Sequence, residues 1–418
     1  MLSAAAARAQ TPSVPSEDSP LPKWMKYDLQ LRGRLERDIG FKTIKGIDDT
    51  DFQSRIRVGL RFEAAPWLHF YMQAQDAEVA SFHRGTAPAS MADSMDFYQG
   101  YVELGNLQSS AWAARIGRQE IGLGEARLVG DMAWANSGKS FDAIRLRYNR
   151  PGVHLDWFAS AAVVPLQPRF DHPQLKNGFY GFYSSFDRLI PKVAIEPYFF
   201  WKVMGGVRGE LGLPGAQSEY TSGVRAAGVL AGKTTFSVDT SFQTGHCAED
   251  RIRAWAGHYS IAVPLRANSW SPRWMAEFNH ASGDNGVDGR RGTFDALYAN
   301  NHDKYGFMDR FSWRNLNDIA NAIEVKPVNR WTAKAALHYF WLANKNDAIW
   351  SSGGMNVKWA NATSSQLGPE LDLQAAYSFN RHLDIVGGFS HLWAGEYIRH
   401  ATTYAASSYP YLILLYRM

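Results

Sequence analysis

The sequence predicts an all-β protein, a transmembrane antiparallel up-and-down β-barrel of about 18 strands. Three observations lead there. Many segments alternate apolar and polar or charged residues with a period of two. The connections between segments are long and short by turns. The 418 residues include 36 Gly, 15 Trp, 19 Tyr and 23 Phe, the make-up of an aromatic- and turn-rich β protein, and no run of 18 or more uncharged apolar residues offers a helical membrane span. A net charge of +4 over 44 cationic and 40 acidic residues is too small an excess to predict nucleic-acid binding, and the single Cys247 excludes a disulfide framework or a cysteine-rich metal site.

The alternation is clearest at the start. In 26–41, Tyr27, Leu29, Leu31, Gly33 and Leu35 alternate with Asp28, Gln30, Arg32, Arg34 and Glu36; in 52–62, Phe52, Ile56, Val58, Leu60 and Phe62 alternate with Gln53, Arg55, Arg57 and Arg61. Successive side chains on a strand point to opposite faces, so each segment has one apolar and one polar face. The pattern returns at 234–244 and 367–379. The full set of candidate strands is 26–41, 52–62, 67–76, 96–104, 111–120, 140–148, 153–163, 178–185, 192–202, 219–230, 234–244, 252–264, 273–282, 317–327, 331–342, 367–379, 383–392 and 409–417.

One alternating segment also fits a half-buried strand of a soluble sandwich. The connections discriminate. Odd-numbered ones average about 18 residues and even-numbered ones about 5, as in outer-membrane barrels with long outer loops and tight periplasmic turns. Short ones carry turn chemistry, such as Asn149-Arg150-Pro151-Gly152 and Asn380-Arg381. Closure satisfies every backbone group in a medium without water. Aromatics near strand ends (Phe62, Trp67, Tyr148, Trp331, Trp341, Phe379) suit interfacial girdles.

Domain organisation follows. Residues 1–9, with Ala7-Arg8-Ala9 as a small-x-small cleavage pattern, read as the tail of a signal peptide; 10–25 read as a flexible leader, and 26–418 as the barrel. The location expected is the bacterial outer membrane.

Gly117-Arg118-Gln119-Glu120, Gly124 to Gly130, Trp134-Ala135-Asn136 and Phe141-Asp142 form a group of motifs. They are joined by Thr293 to Leu316, Gly368 to Leu373, Tyr377 and Gly387 to His391. Together these resemble the alginate export family of outer-membrane porins. The resemblance implies an eighteen-stranded monomeric barrel passing an anionic polysaccharide outward. Met418 departs from the usual aromatic end of such barrels.

A barrel this wide leaves an aqueous channel whose selectivity comes from inward charged side chains. Strand parity puts Arg32, Arg34, Arg55, Arg57, Arg61, Arg115, Arg145 and Arg147 on the polar face of the first six strands, with Arg225 and Lys334 further on. Glu36 and Glu103, with Asp28, Asp38 and Glu63, stand among them. Arginine presents planar paired donors that meet a carboxylate two at a time. Spaced arginines would let a polyuronate step between weak sites; the bland alternative is a wall of mutually satisfied ion pairs. Tyr71, Trp67 and Tyr101 would offer sugar rings a stacking surface.

Loops 121–139 and 77–95 are candidates for folding inward. Asp284, Asn285 and Asp288 sit among glycines, but their spacing completes no calcium loop, so no metal is assigned. Absence of G-x-S-x-G and H-E-x-x-H motifs argues against an enzyme. The reading is therefore a channel without cofactor for an anionic polysaccharide or oligosaccharide, with outer-membrane lipid around it and periplasmic export partners possible. A general diffusion porin for small anions or sugars is the alternative.

Overall fold

The computed structural model describes residues 21–40, 48–80, 87–167, 169–266, 270–351, 356–402 and 405–418. The expected signal-peptide tail at 1–9 and most of the leader at 10–25 lie outside the described residues.

Eighteen antiparallel strands form one sheet: β1 (Met25–Asp38), β2 (Asp49–Ala65), β3 (Leu68–Ala80), β4 (Asp93–Leu104), β5 (Trp112–Gln119), β6 (Phe141–Arg150), β7 (Val153–Val164), β8 (Gly178–Ile190), β9 (Val193–Arg208), β10 (Pro214–Val229), β11 (Thr235–Cys247), β12 (Asp250–Pro264), β13 (Arg273–Ala281), β14 (Leu316–Val325), β15 (Trp331–Trp341), β16 (Gln366–Ser378), β17 (Leu383–Trp393) and β18 (Ala406–Arg417). Every consecutive pair is joined, and β18 pairs with β1 from Gln30↔Arg417 to Glu36↔Tyr411, so the sheet closes on itself. The ladder runs to the last residue: the Leu29 amide donates to the Met418 carbonyl at 2.8 Å and the Met418 amide to the Leu29 carbonyl at 2.9 Å. The non-aromatic end therefore leaves closure intact.

Burial follows strand parity with its usual polarity reversed. Along β1, Asp28, Gln30, Arg32, Arg34, Glu36 and Asp38 are buried, whereas Leu31 and Leu35 are exposed. Likewise Ile56, Val58, Leu60, Ile144, Ile319, Leu412 and Leu414 stand outward. In water this would be an aggregation surface. Facing hydrocarbon it is the stable arrangement, because a closed barrel leaves no edge strand and no unpaired backbone in lipid.

All eighteen expected strands are present, and the differences are at their ends. The connections at 209–213 and 248–249 are short, against the expected long loop after 202, because β9 and β10 each run 16 residues and use that sequence as a projecting hairpin. Trp67 does not face the polar side: it lies in the 66–67 turn and is 60% exposed. The strand begins one residue later than its parity reading assumed. A six-residue helix, α1 (Glu396–Ala401), in the last long loop had no counterpart in the sequence reading.

Two long loops fold into the barrel. Residues 120–140 and 282–315 meet each other through short backbone pairing: Tyr298 N to Leu128 O at 2.9 Å, Gly130 N to Tyr298 O at 2.9 Å and Asn300 N to Ala126 O at 2.8 Å. Their apolar side chains, including Ile121, Leu128, Val129, Phe294, Phe307 and Phe311, pack with inward Phe141, Phe158, Phe179 and Phe200 of β6 to β9. The chain's apolar core thus lies inside the barrel.

Candidate functional site

The lumen wall is built where the polar parity of the strands meets these two loops. The arginines on it fall into two groups.

The first group holds a loop. Arg32 of β1 donates to the carbonyls of Ala133 (2.9 Å) and Ala135 (3.1 Å) and to Asn136 Oδ1 (3.0 Å). Arg55 of β2 donates to the Ala135 and Asn136 carbonyls at 3.1 and 3.3 Å and to Gln30 Oε1 at 2.7 Å. Arg34 reaches Trp134 O and Gln53 Oε1, both at 2.5 Å, and its Nε lies 2.6 Å from Glu36. Arg57 donates to Gln75 at 2.7 Å, lies 3.5 Å from Glu120 and covers the Tyr98 ring at 3.7 Å. Asn136 completes the seat, its Nδ2 donating to the carbonyls of Ser54, Glu78 and Met91. Gly138 carries a positive φ of +71°, and a Cβ there would lie 2.6 Å from both Arg57 Nη2 and Tyr98 Oη, so the turn needs glycine.

The second group forms a row along β2 to β7. Arg61 pairs in register with Tyr71, Tyr71 with Tyr101, Glu103 with Arg115, Arg115 with Arg145, and Arg147 with Asp156. Arg115 Nε donates to Glu103 at 2.7 Å and its guanidinium covers Tyr101 at 4.1 Å. Tyr101 and Tyr71 rings are 5.2 Å apart. Arg61 meets only the Tyr101 hydroxyl (3.4 Å) and the Tyr71 ring, with no carboxylate partner among the described residues. Arg145 and Arg147 share one carboxylate, Asp156, at 2.6 and 2.9 Å. This row keeps more cationic than anionic groups.

Arg225 and Lys334 lie apart from both groups. Arg225 pairs with Glu125 of the first inward loop (2.8 Å) and Glu196 (2.5 Å), which also accepts from Tyr183. Lys334 lies 5.3 Å from the Phe307 ring.

Sequence reasoning missed the far wall. There Arg127 of the inward loop reaches Glu277 at 2.6 Å, His258 lies 2.8 Å from Asn279, Asn279 donates to Asp318 at 3.0 Å, and His338 lies 3.1 Å from Asp318. Burial alone would raise the Glu125 carboxyl, but the His258 hydrogen bond and the Arg127 and Arg225 guanidiniums hold it far below the usual carboxylate range. Asp295 is held low in the same way, against burial, by Lys202 (2.5 Å) and Arg314 (2.6 Å). Asp131 goes the other way: burial, then Glu120, push it up to about 7. The aromatic wall was also missed. Its signal was available, since Trp157-Phe158 and Phe199-Phe200 are apolar on both faces.

The loops are latched to each other as well. Trp134 stacks flat on His302, centroids 3.5 Å apart and planes 4° apart, with Arg34 on it at 4.4 Å. Of the two loops expected to fold inward, 121–139 does. The 77–95 segment is strand to Ala80 and from Asp93, and part of the rest lies outside the described residues; its Ser90 carbonyl accepts the Asn136 amide at 2.8 Å. At the outer end Glu210, Asp284 and Asp288 bring carboxylate oxygens within 4.8 Å of one another, and Glu210 already accepts the Asp288 and Gly289 amides.

Comparison with known proteins agrees with this architecture. The family model described as alginate export matches residues 22–411. Among solved structures the chain is similar to Pseudomonas aeruginosa OpdQ (TM-score 0.63, 11% identity, 95% of this chain and 99% of that one). It is also similar to Acinetobacter baumannii OccAB1 (0.63, 11%, 97% and 99%) and to Pseudomonas aeruginosa OpdK with vanillate (0.61, 11%, 94% and 98%). Curated protein sequences give no match.

Proposed function

The chain belongs to the alginate export family and is a channel of the bacterial outer membrane, and from that premise we propose that it passes an anionic polysaccharide or oligosaccharide, such as a uronate polymer, outward through its arginine-rich lumen. No cofactor is needed, since a gradient drives passage. We take the barrel to act as a monomer and to receive its cargo from periplasmic partners.

The observation that carries this reading is the row Arg61, Tyr71, Tyr101, Arg115 with Arg145 and Arg147. Each uronate ring has an apolar face and a carboxylate. Tyrosine rings beside guanidiniums match both, and Arg pairs with carboxylate bidentately. The partners Glu103 and Asp156 hold the arginines extended and keep binding shallow enough for release. Arg32, Arg34, Arg55 and Arg57 take a different role, seating loop 120–140, which sets the width of the passage.

A second reading, a porin for small anions, draws on the two loops packed inside the barrel, which narrow it for a polymer, and on the solved structure of OpdK with vanillate, a small carboxylate. Planar-bilayer recording separates the two. Export predicts block of the current by polyuronate but not by neutral dextran, with block lost in Arg61→Glu plus Arg115→Glu. Equal block by both polymers, or none by polyuronate, favours the small-anion porin.

A further inference from the structure

The short-turn end of the barrel carries an uninterrupted arc of positive charge. β1 begins and β18 ends there, which makes it the periplasmic side. Five successive turns, at 191–192, 230–234, 265–272, 326–330 and 379–382, carry Lys192, Lys233, Arg266, Lys326, Arg330 and Arg381. All six are exposed, and these turns contain no Asp or Glu. In a chain with 44 cationic and 40 acidic residues, composition does not supply such a run. Lys192, Lys233, Arg266, Lys326 and Arg330 form no salt bridge among the described residues. The first two turns, 66–67 and 105–111, carry no charge, so the arc is confined to one side of the rim.

Inward of the arc the charges alternate in sign. Arg273, the residue after the 265–272 turn, pairs in register with Glu324, and Glu324 with Lys334. Lys334 in turn lines an internal cavity in which Arg127, Lys304 and His258 are interleaved with Glu125, Glu277 and Asp303. The neighbouring lipid-facing positions are apolar instead: Trp331, Tyr377 and Phe379 form one aromatic run, with centroids 4.9 and 5.2 Å apart. Cations on the rim of a charged lumen, beside lipid-facing positions without them, fit a ligand on its way through the pore better than a phospholipid headgroup.

We infer that this arc is a capture surface for the carboxylates of a uronate chain at the periplasmic mouth, giving the channel a loading side. The inference rests on the reading of the lumen given above and adds the surface on which outward-bound cargo is first held. Like-signed charge around a mouth with low-dielectric walls raises association rates by about 10 to 10³. The effect fades as salt shortens the screening length to about 10 Å at 0.1 M.

The test is side-specific block of single channels by a short uronate oligomer, with orientation fixed by a biotin at the 209–213 tip and streptavidin in one chamber. The parent protein should show a periplasmic on-rate about tenfold above the outer one at low salt. In the Lys192→Gln/Lys233→Gln/Lys326→Gln/Arg330→Gln variant that excess should vanish, with the outer on-rate unchanged. If the fourfold variant fails to fold, as judged by its heat-modifiable migration, Lys192→Gln/Lys233→Gln alone should lose part of the excess. Equal on-rates from both sides in the parent, or an unchanged excess in either folded variant, overturn the inference while leaving the lumen reading in place. No block from either side overturns both. Loss of binding to phosphatidylglycerol vesicles with an unchanged oligomer on-rate assigns the arc to headgroups and also overturns it.

Discussion

Arg32 and Arg55 stand directly opposite each other in the β1–β2 register, and both donate to the same two backbone carbonyls, Ala133 and Ala135, of the inward loop between β5 and β6. Two like charges directly opposite on a sheet repel. Here the repulsion is offset by carbonyl dipoles that only the inserted loop supplies, so the wall and the loop need each other. A hydrogen bond from a charged donor contributes about 1.5–3 kcal/mol.

The first prediction follows from that dependence. Removing both guanidiniums, Arg32→Ala with Arg55→Ala, should free the 133–136 segment while the barrel stays closed. Single-channel conductance should rise, and trypsin should gain access to Arg127 and Lys139 in loop 120–140. A variant as resistant and as conductive as the parent would show that the loop is seated by its apolar contacts alone.

Seating of the same loop should depend on pH. Asp131 titrates near 7 in the folded protein, against an ordinary value near 3.8, because burial and Glu120 disfavour its charge. A carboxyl whose folded pKa is raised binds its proton more tightly folded than unfolded. Its contribution therefore falls as pH rises from about 4 to about 7, and is flat below and above. Amide protection factors in 120–140, corrected for the intrinsic pH dependence of exchange, should be larger at pH 5 than at pH 8. Asp131→Asn should make them large at both.

Trp134 joins the two inward loops through its stack on His302. Trp134→Ala should cost about 1–3 kcal/mol of local stability. Hydrogen exchange should accelerate in both 120–140 and 298–309, although the substitution lies in only one of them. Acceleration confined to the first loop would mean the loops are seated independently.

On the outer wall, Ile144 is 58% exposed in the middle of β6. Ile144→Arg should cost about 2–4 kcal/mol of folding into bilayers, and Ile144→Leu less than about 0.5. Urea titration of protein refolded into vesicles measures both. A negligible cost for arginine would place this face in water.

Much of this was readable in the sequence, and the failures have physical causes. β1 and β2 alternate cleanly because one face meets lipid and the other meets charge, so parity alone placed Arg32, Arg34, Arg55 and Arg57. Phe158 and Phe200 break the alternation because an inserted loop turns part of the lumen into an apolar core, which no single strand can announce. Arg127, Glu277 and His338 come together from segments far apart in sequence, and only barrel closure and loop insertion bring them near. Parity says which way a side chain points. It does not say whether water, a loop or a substrate meets it there, which is why Arg55 and Arg61 looked alike in the sequence and differ in the structure.

The most direct test of an arginine-lined passage for anions is the reversal potential of the reconstituted channel in a potassium chloride gradient. The parent should show chloride preference, and Arg61→Glu/Arg115→Glu/Arg147→Glu should move the potential toward or past the cation side. Cation preference in the parent, or a potential unmoved by the three substitutions, would contradict the account.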